Sequence, residues 1–273
     1  MHAIELAFLA LATGYSLLLP LKHSVTPVDA AVLVAIFVVY TVRVSRAPAE
    51  EPDLVGPARL LGAMRPGRRR AAILAMFLGA AGVILAAAEP FAHALVETGA
   101  DLGISQFLLV QWLAPLASEA PELLIAGLYA WRLNTSAGLG TLVSSKVNQW
   151  TLLVGTLPVV FAVASGGLHG LPIEAQQREE LFLTAAQSFF AVAVLANRSL
   201  SPREGWLLVG LFWAQFVVGA LVPASLHGAE RIGVGAVYLM LGLRILVLNR
   251  SRLGRMLRDG FRTPVGQLVD GRD

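Results

Sequence analysis

HSVTPVDAAVLV, residues 23–34, recurs without a gap as RSLSPREGWLLV, residues 198–209. The same offset of 175 residues pairs Glu5-Leu6 with Glu180-Leu181. Each copy consists of an apolar segment, a short polar turn with the pattern Ser-x-Ser/Thr-Pro-x-Asp/Glu, and a second apolar segment. Apolar helix hairpins resemble one another by chance, but the shared turn favours a true internal repeat.

The composition indicates a membrane protein. The chain has 273 residues, of which 56% are hydrophobic and 14% are charged, whereas soluble domains carry roughly 25% charged residues. Apolar segments long enough to cross a hydrocarbon core of ~30 Å recur along the whole chain. The chain has no cysteine, which excludes disulfides and thiolate metal sites. We predict eight membrane spans, at residues 4–21, 28–42, 71–96, 104–131, 139–164, 180–196, 205–222 and 232–248.

The position of the repeat among these spans predicts that its copies are inverted. The first copy begins with the first span and the second copy with the sixth. Because five spans is an odd number, the two copies run in opposite directions across the membrane. Inverted repeats are typical of secondary transporters, whose substrate sites lie near the midplane on interrupted helices. The predicted fold is therefore an all-α polytopic membrane protein of about eight transmembrane helices with an inverted-topology repeat.

The basic residues predict an orientation. Arginines between Arg43 and Arg70 place that loop in the cytoplasm by the positive-inside rule, and the Arg-rich C-terminus follows it there. Two places on the outer side break the pattern, Lys22-His23 and Arg231. We expect an integral protein of a bacterial inner membrane. Aromatic and basic residues are not interleaved, so nucleic acid is not an expected partner.

LASEAPELLIA, residues 116–126, places two carboxylates and a proline inside the apolar fourth span. Pro121 removes a helical hydrogen bond and opens the backbone about one turn earlier. At ~100° per residue, Ser118, Glu119 and Glu122 share one helical face. Carboxylate, hydroxyl and carbonyl oxygens are ligands for Na⁺ or Ca²⁺. A proton could compete with the metal, because two close carboxylates raise one of their pKa values. The alternative is a kinked helix whose glutamates lie in a satisfied polar network.

GTLVSSKVNQWTLLVG, residues 140–155, forms a polar cluster in the fifth span. Ser145 and Gln149 lie four residues apart on one face, flanked by Lys146 and Asn148. Hydrogen bonding between helices would explain Ser144 and Asn148. It does not explain Lys146, because an ammonium in a membrane needs a counter-charge. Glu119 and Glu122 are the candidate partners.

These two stretches resemble the motifs of the sodium/calcium exchanger (cation/calcium antiporter) family. ASEAPELLIA is similar to the family's G-T-S-L-P-E-L motif, and GTLVSSKVNQ to its G-N-x-x-G-S-N-I-x-N/D motif. Together the motifs form one alpha-repeat. The run GISQFLLVQWLAPLAS that leads into the first motif is also similar, and Glu89 matches a glutamate of the preceding helix. The resemblance covers residues 71–222 and the first two helices.

The resemblance implies a cation site, with three departures from the family pattern. Glu122 matches the cation carboxylate of the family, Ser118 a threonine, Ser145 a serine ligand and Gln149 an Asn/Asp ligand. Glu119 stands where the family has serine, Lys146 where it has asparagine, and Gln149 brings an amide. We expect Glu119 and Lys146 to pair and to tune the charge of the site. Ser144, Asn148 and Glu89 are secondary candidates.

The resemblance also implies a domain organisation in which the first alpha-repeat is missing. Its position, 175 residues before the second, lies upstream of Met1. We expect a truncated sequence, a second copy or partner subunit that supplies this repeat, or a decayed or repurposed protein. The predicted parts are the last two helices of the N-terminal half (1–45), a cytoplasmic basic loop (46–70), the C-terminal exchanger region (71–223), an extra transmembrane helix (224–249) and a basic cytoplasmic tail (250–273).

The predicted function is secondary antiport of Na⁺, Ca²⁺ or H⁺ by alternating access, with cations as cargo and no enzymatic cofactor. The alternative is a channel-like or non-transporting membrane subunit. We do not expect an enzyme. The chain lacks H-E-x-x-H and G-x-S-x-G motifs, and Ser145 and Lys146 are adjacent, so they point ~100° apart on a helix.

Overall fold

A computed structural model describes residues 3–47, 56–103 and 118–264, and these residues are almost entirely helical. Two two-residue strands, β1 (Ser24–Val25) and β2 (Leu171–Pro172), pair antiparallel. The helices are α1 (Ala3–Ser16), α2 (Pro27–Ser45), α3 (Pro57–Gly62), α4 (Pro66–Asp101), α5 (Ala120–Trp131), α6 (Thr135–Asn148), α7 (Val154–Ser165), α8 (Ala175–Leu195), α9 (Pro202–Leu221), α10 (His227–Leu248) and α11 (Arg250–Phe261). A π-helical turn, Gln149–Leu153, joins α6 to α7.

The helices confirm a polytopic all-α membrane protein. Within the described residues, five segments are long and apolar enough to cross a bilayer: Ala3–Leu21, Pro27–Ser45, Pro66–Asp101, Thr135–Ser165 and His227–Leu248. Helices α8 and α9 have 21 and 20 residues, which is also about the length of a span. The fourth predicted span falls partly on residues 104–117, outside the described residues.

The chain forms two compact units, one of residues 1–48 with 125–273 and one of residues 49–124. Helix α4 is the main element of the second unit. It has 36 residues and Pro90 in its interior, and its length of about 54 Å exceeds the hydrocarbon core. The predicted span at 71–96 is therefore extended at both ends, where the arginines at 68–70 and the carboxylates of Glu97 and Asp101 suit water or headgroups rather than lipid tails.

Helix α1 is the centre of the first unit. Its residues Leu6, Ala7, Phe8 and Ala12 are buried, with at most 2% of each exposed. It packs against α2, α6, α8 and α11. Helix α10, the extra eighth span, packs closely along α8, because Gly235 faces Phe182 and Gly242 faces Phe189. Small residues allow such close helix approach in membranes.

The repeated turn has the same local structure in both copies. Thr26 and Asp29 form a capping box at the start of α2, and Ser201 and Glu204 form one at the start of α9. In these boxes the side chains and backbone N–H groups bind each other reciprocally. Lys22 binds Asp29 in the first copy. At the equivalent position of the second copy, Asn197 donates to Glu204 at 3.5 Å.

One hydrogen bond joins two residues that are equivalent in the repeat. Thr13 Oγ1 and Ser188 Oγ lie 2.8 Å apart and are separated by 175 residues, the repeat offset. In a two-fold relation, a residue that contacts its own equivalent lies on the axis. The contact between α1 and α8 is therefore the one expected at the axis of a pseudo-two-fold relation between the copies.

Two basic residues that broke the positive-inside pattern form ion pairs. Lys22 binds Asp29, whose side chain is fully buried. Arg231 Nη1 lies 3.2 Å from Glu179 Oε2, and its Nε lies 2.6 Å from Glu180 Oε1. Because each positive charge has a carboxylate partner, neither residue contributes an excess of charge to its loop.

Candidate cation site

The helix that carries the glutamates is interrupted where the sequence predicts. Ser118 is helical, the chain bends at Glu119, and α5 begins at Ala120. Pro121 occupies the second position of α5, where the missing N–H costs little. The carbonyl of Glu119 accepts from Leu123 N at 3.1 Å. Glu122 lies in the first turn, where the positive end of the helix dipole stabilises an ionised carboxylate.

The fifth span stays helical but has an irregular turn directly after Asn148. The five residues from Gln149 to Leu153 form a π-helical turn between α6 and α7. Single π turns inside α-helices are frequent at functional sites. Trp150 and Thr151 are buried, and Thr151 Oγ1 donates to Val147 O at 2.6 Å. The π turn thus begins at Gln149, one of the predicted ligands.

Lys146 and Gln149 contact each other. Lys146 Nζ donates to Gln149 Oε1 at 3.0 Å, and both residues are half-buried. The amide oxygen of Gln149, a predicted cation ligand, therefore accepts from an ammonium. A side-chain cation at this place adds a fixed positive charge to the polar cluster of the fifth span.

The neighbouring polar residues of α6 differ in their surroundings. Ser144 Oγ donates to Thr141 O at 3.1 Å, within its own helix. Ser145 is half-buried, and Asn148 is exposed. The hydroxyl of Ser144 thus binds a carbonyl of its own helix, which is a common arrangement for serine in helices, and its interhelical hydrogen bonding stays a prediction.

A cavity of about 340 Å³ lies beside Lys146. Its polar lining includes Thr184, Gln187 and Ser188 of α8, and apolar residues such as Val143 complete it. Gln187 donates to Gln215 of α9. The three polar residues of α8 were not predicted as site residues. Their spacing of three and four residues inside an apolar helix is the signal that could have identified them.

A tight turn holds the second half of α5 beside α6. Leu133 has a positive φ of 58°, and Asn134 caps α6 by accepting from Ala137 N at 3.1 Å. A Cβ at Gly138 would lie 3.1 Å from Ala126 O. The glycine therefore permits the close approach of the two helices of the hairpin.

The predicted site residues divide between the two units. Lys146, Ser145 and Gln149 belong to the unit of residues 1–48 and 125–273, and Ser118, Glu119, Glu122 and Glu89 to the unit of residues 49–124. Glu89 is exposed on α4 beside Pro90. The pairing of Glu119 with Lys146 stays a prediction. Among the described residues, no group of three or more His, Asp or Glu is arranged to hold a metal ion.

Comparison with known proteins gives two findings. The family model described as "Sodium/calcium exchanger protein" matches residues 72–221. The solved structure described as "Crystal Structure of H+/Ca2+ Exchanger CAX" is similar, with a TM-score of 0.84 and 38% identity over 98% of this chain and 66% of that one. The chain thus spans about two thirds of the length of that exchanger. A comparison with curated proteins gave no significant match.

Proposed function

Because the chain belongs to the sodium/calcium exchanger protein family, we propose that it forms one half of a secondary antiporter that exchanges H⁺ for Ca²⁺ or Na⁺ by alternating access. The observation that carries this proposal is the irregular backbone of both motif segments at candidate ligands. The chain bends at Glu119, and a π turn begins at Gln149. Irregular points in membrane helices lie beside the cation sites of transporters, where side-chain and backbone oxygens coordinate the ion.

Glu122 is the exchanging carboxylate in this proposal. It holds the metal ion when ionised and a proton when neutral, so one group serves both cargoes in turn. Ser118, Ser145 and Gln149 lend oxygens, and Glu119 with Lys146 tunes the charge. The similar exchanger is described as an H⁺/Ca²⁺ exchanger, which supports protons as one cargo.

The fixed charge of Lys146 distinguishes this site from a site built of oxygens alone. The ammonium already occupies the oxygen of Gln149. A metal ion that uses this oxygen must displace the ammonium or share the oxygen with it. We therefore propose that Lys146 reduces the number of cations bound at one time.

A counterpart of the alpha-repeat completes the cation site in this proposal, as expected for inverted repeats. The pseudo-two-fold relation supports this. Leu9 and Ala12 of α1 share a buried core with Val143 of α6, and their equivalents on α8 are Thr184 and Gln187. Both equivalents line the cavity beside Lys146, on the face of α8 where a counterpart of α6 would pack.

We also propose that the C-terminus and the loop of residues 43–70 face the cytoplasm of a bacterial cell. The arginines of this loop and of the C-terminal tail support this orientation by the positive-inside rule, with Lys22 and Arg231 as exceptions.

The test is cation uptake into proteoliposomes that contain the purified protein, driven by an imposed pH gradient. We expect saturable Ca²⁺ or Na⁺ uptake that a protonophore abolishes. Glu122→Gln should reduce it roughly 10–100-fold, because a bond to a charged group contributes about 1.5–3 kcal/mol. Asp101→Asn, at the exposed end of α4, is the matched control. Non-saturable flux along the gradient would support the channel alternative, and no flux from the chain alone would support a subunit that needs a partner.

A further inference from the structure

Helix α11, part of the predicted basic tail, is fixed against the body of the first unit. Met256 is fully buried, and Gly260 lies against Ala3 and Ala7 of α1. The rings of Phe8 and Phe261 lie 5.1 Å apart. Arg43 of α2 donates to the carbonyls of Gly260 and Thr263 near the end of the helix. The apolar face of α11 is therefore covered by protein.

The end of α8 lies at the same membrane face as α11. Helices α8 and α10 are parallel, because Phe182 faces Gly235 and Phe189 faces Gly242 with the same offset. Their last residues, Leu195 and Leu248, are therefore level. The turn that follows α8 and the helix that follows α10 both start at this level.

A polar pocket of about 300 Å³ lies between that turn and α11. Its lining is Ala196, Asn197, Arg198, Ser199, Arg252 and Arg255. Arg198 Nη2 lies 3.0 Å from Asp259 Oδ2, which joins the turn to the helix. In the part of the chain that the structure describes, Arg252 and Arg255 form no ion pair within 4.0 Å. Three guanidinium groups thus meet one carboxylate, and the pocket has an excess of two positive charges.

We propose that this pocket binds the phosphate group of an anionic phospholipid. Guanidinium groups match phosphate oxygens with two parallel hydrogen bonds. Basic pockets at the ends of membrane helices lie at the depth of lipid headgroups, where anionic lipids are concentrated. A lipid is favoured over free phosphate because the ends of α8 and α10 bring the pocket to the bilayer surface. The bound lipid holds the turn after α8 to α11.

The experiment is native mass spectrometry of the full chain released from nanodiscs that contain phosphatidylcholine and phosphatidylglycerol. The wild type should retain phosphatidylglycerol selectively. Arg252→Gln with Arg255→Gln should weaken this binding about 30-fold, because each arginine near a membrane surface contributes about a factor of five.

The matched control is Arg250→Gln with Arg262→Gln, which removes the same charge from the same region outside the pocket. This control should retain the lipid within about threefold of wild type. Equal losses in both double variants would overturn the proposal, since they would indicate general attraction only. The proposal also fails if the wild type shows no preference for phosphatidylglycerol. It fails as well if inorganic phosphate displaces the lipid at about 1 mM, a concentration at which sites of millimolar affinity bind phosphate. The single variants Arg252→Gln and Arg255→Gln replace the double variant if it does not fold.

Discussion

Replacement of Lys146 by Asn tests whether the fixed ammonium controls ion selectivity. Lys146 Nζ lies 3.0 Å from Gln149 Oε1, and a Ca²⁺ ligand lies about 2.4 Å from its ion. An ion bound to this oxygen would therefore lie at most about 5.4 Å from the ammonium. At an effective dielectric constant of about 20, the repulsion is about 3 kcal/mol for a monovalent ion and about 6 kcal/mol for a divalent ion.

The difference of about 3 kcal/mol corresponds to roughly 100-fold in selectivity. After discount for solvent screening at this half-buried residue, we expect Lys146→Asn to increase the preference for Ca²⁺ over Na⁺ by at least about tenfold. The assay is competition between the two ions in pH-driven uptake by proteoliposomes. A thermal melt checks that folding is retained. Unchanged selectivity with unchanged transport would refute the role of Lys146.

The double variant Glu119→Ser with Lys146→Asn tests the predicted pairing. If the two charges pair, each single change leaves one charge in the membrane without compensation, and the double variant should melt higher than either single variant. Additive effects of the two changes would show that the residues do not interact.

Three further predictions concern the first unit. Arg231→Gln should lower the free energy of unfolding by about 2 kcal/mol, because the carboxylate of Glu179 loses its partner. This corresponds to a melting temperature that is roughly 4–8 °C lower. A shift below about 1 °C would contradict this prediction. Thr13→Val and Ser188→Ala should show a coupling energy of about 0.6 kcal/mol in a double-mutant cycle, and a coupling of zero would remove the support for an axial contact. Asp29→Asn should cost about 1–2 kcal/mol by weakening the cap, measured by thermal melting, and the amide oxygen of this variant should retain part of the bond to Thr26.

The spans and the break in the first motif helix could be predicted because apolar length and Pro121 act locally. The π turn at Gln149 could not, because its residues have ordinary helical preferences and tertiary packing around Trp150 and Thr151 decides the backbone. The contact between Thr13 and Ser188 was implicit in the repeat offset, but an offset alone does not say which pair lies on the axis. The ion pair of Arg231 with Glu179 was also beyond the sequence, since it depends on how α10 packs along α8.

The two copies of the repeat differ most in the charge of their turns, and this difference has a physical reason. In the first copy, Lys22 binds Asp29, so the turn has little net charge. In the second copy, Asn197 replaces the lysine, and the positive charge moves to Arg198, whose carboxylate partner Asp259 belongs to α11. Arg252 of α11 adds further positive charge to this turn. A protein of two identical inverted halves would have no preferred orientation in the membrane, because orientation follows the difference in basic residues between the two faces. In the proposed orientation, the more basic turn of the second copy lies on the cytoplasmic face, while the shared capping boxes keep the helix geometry of both turns.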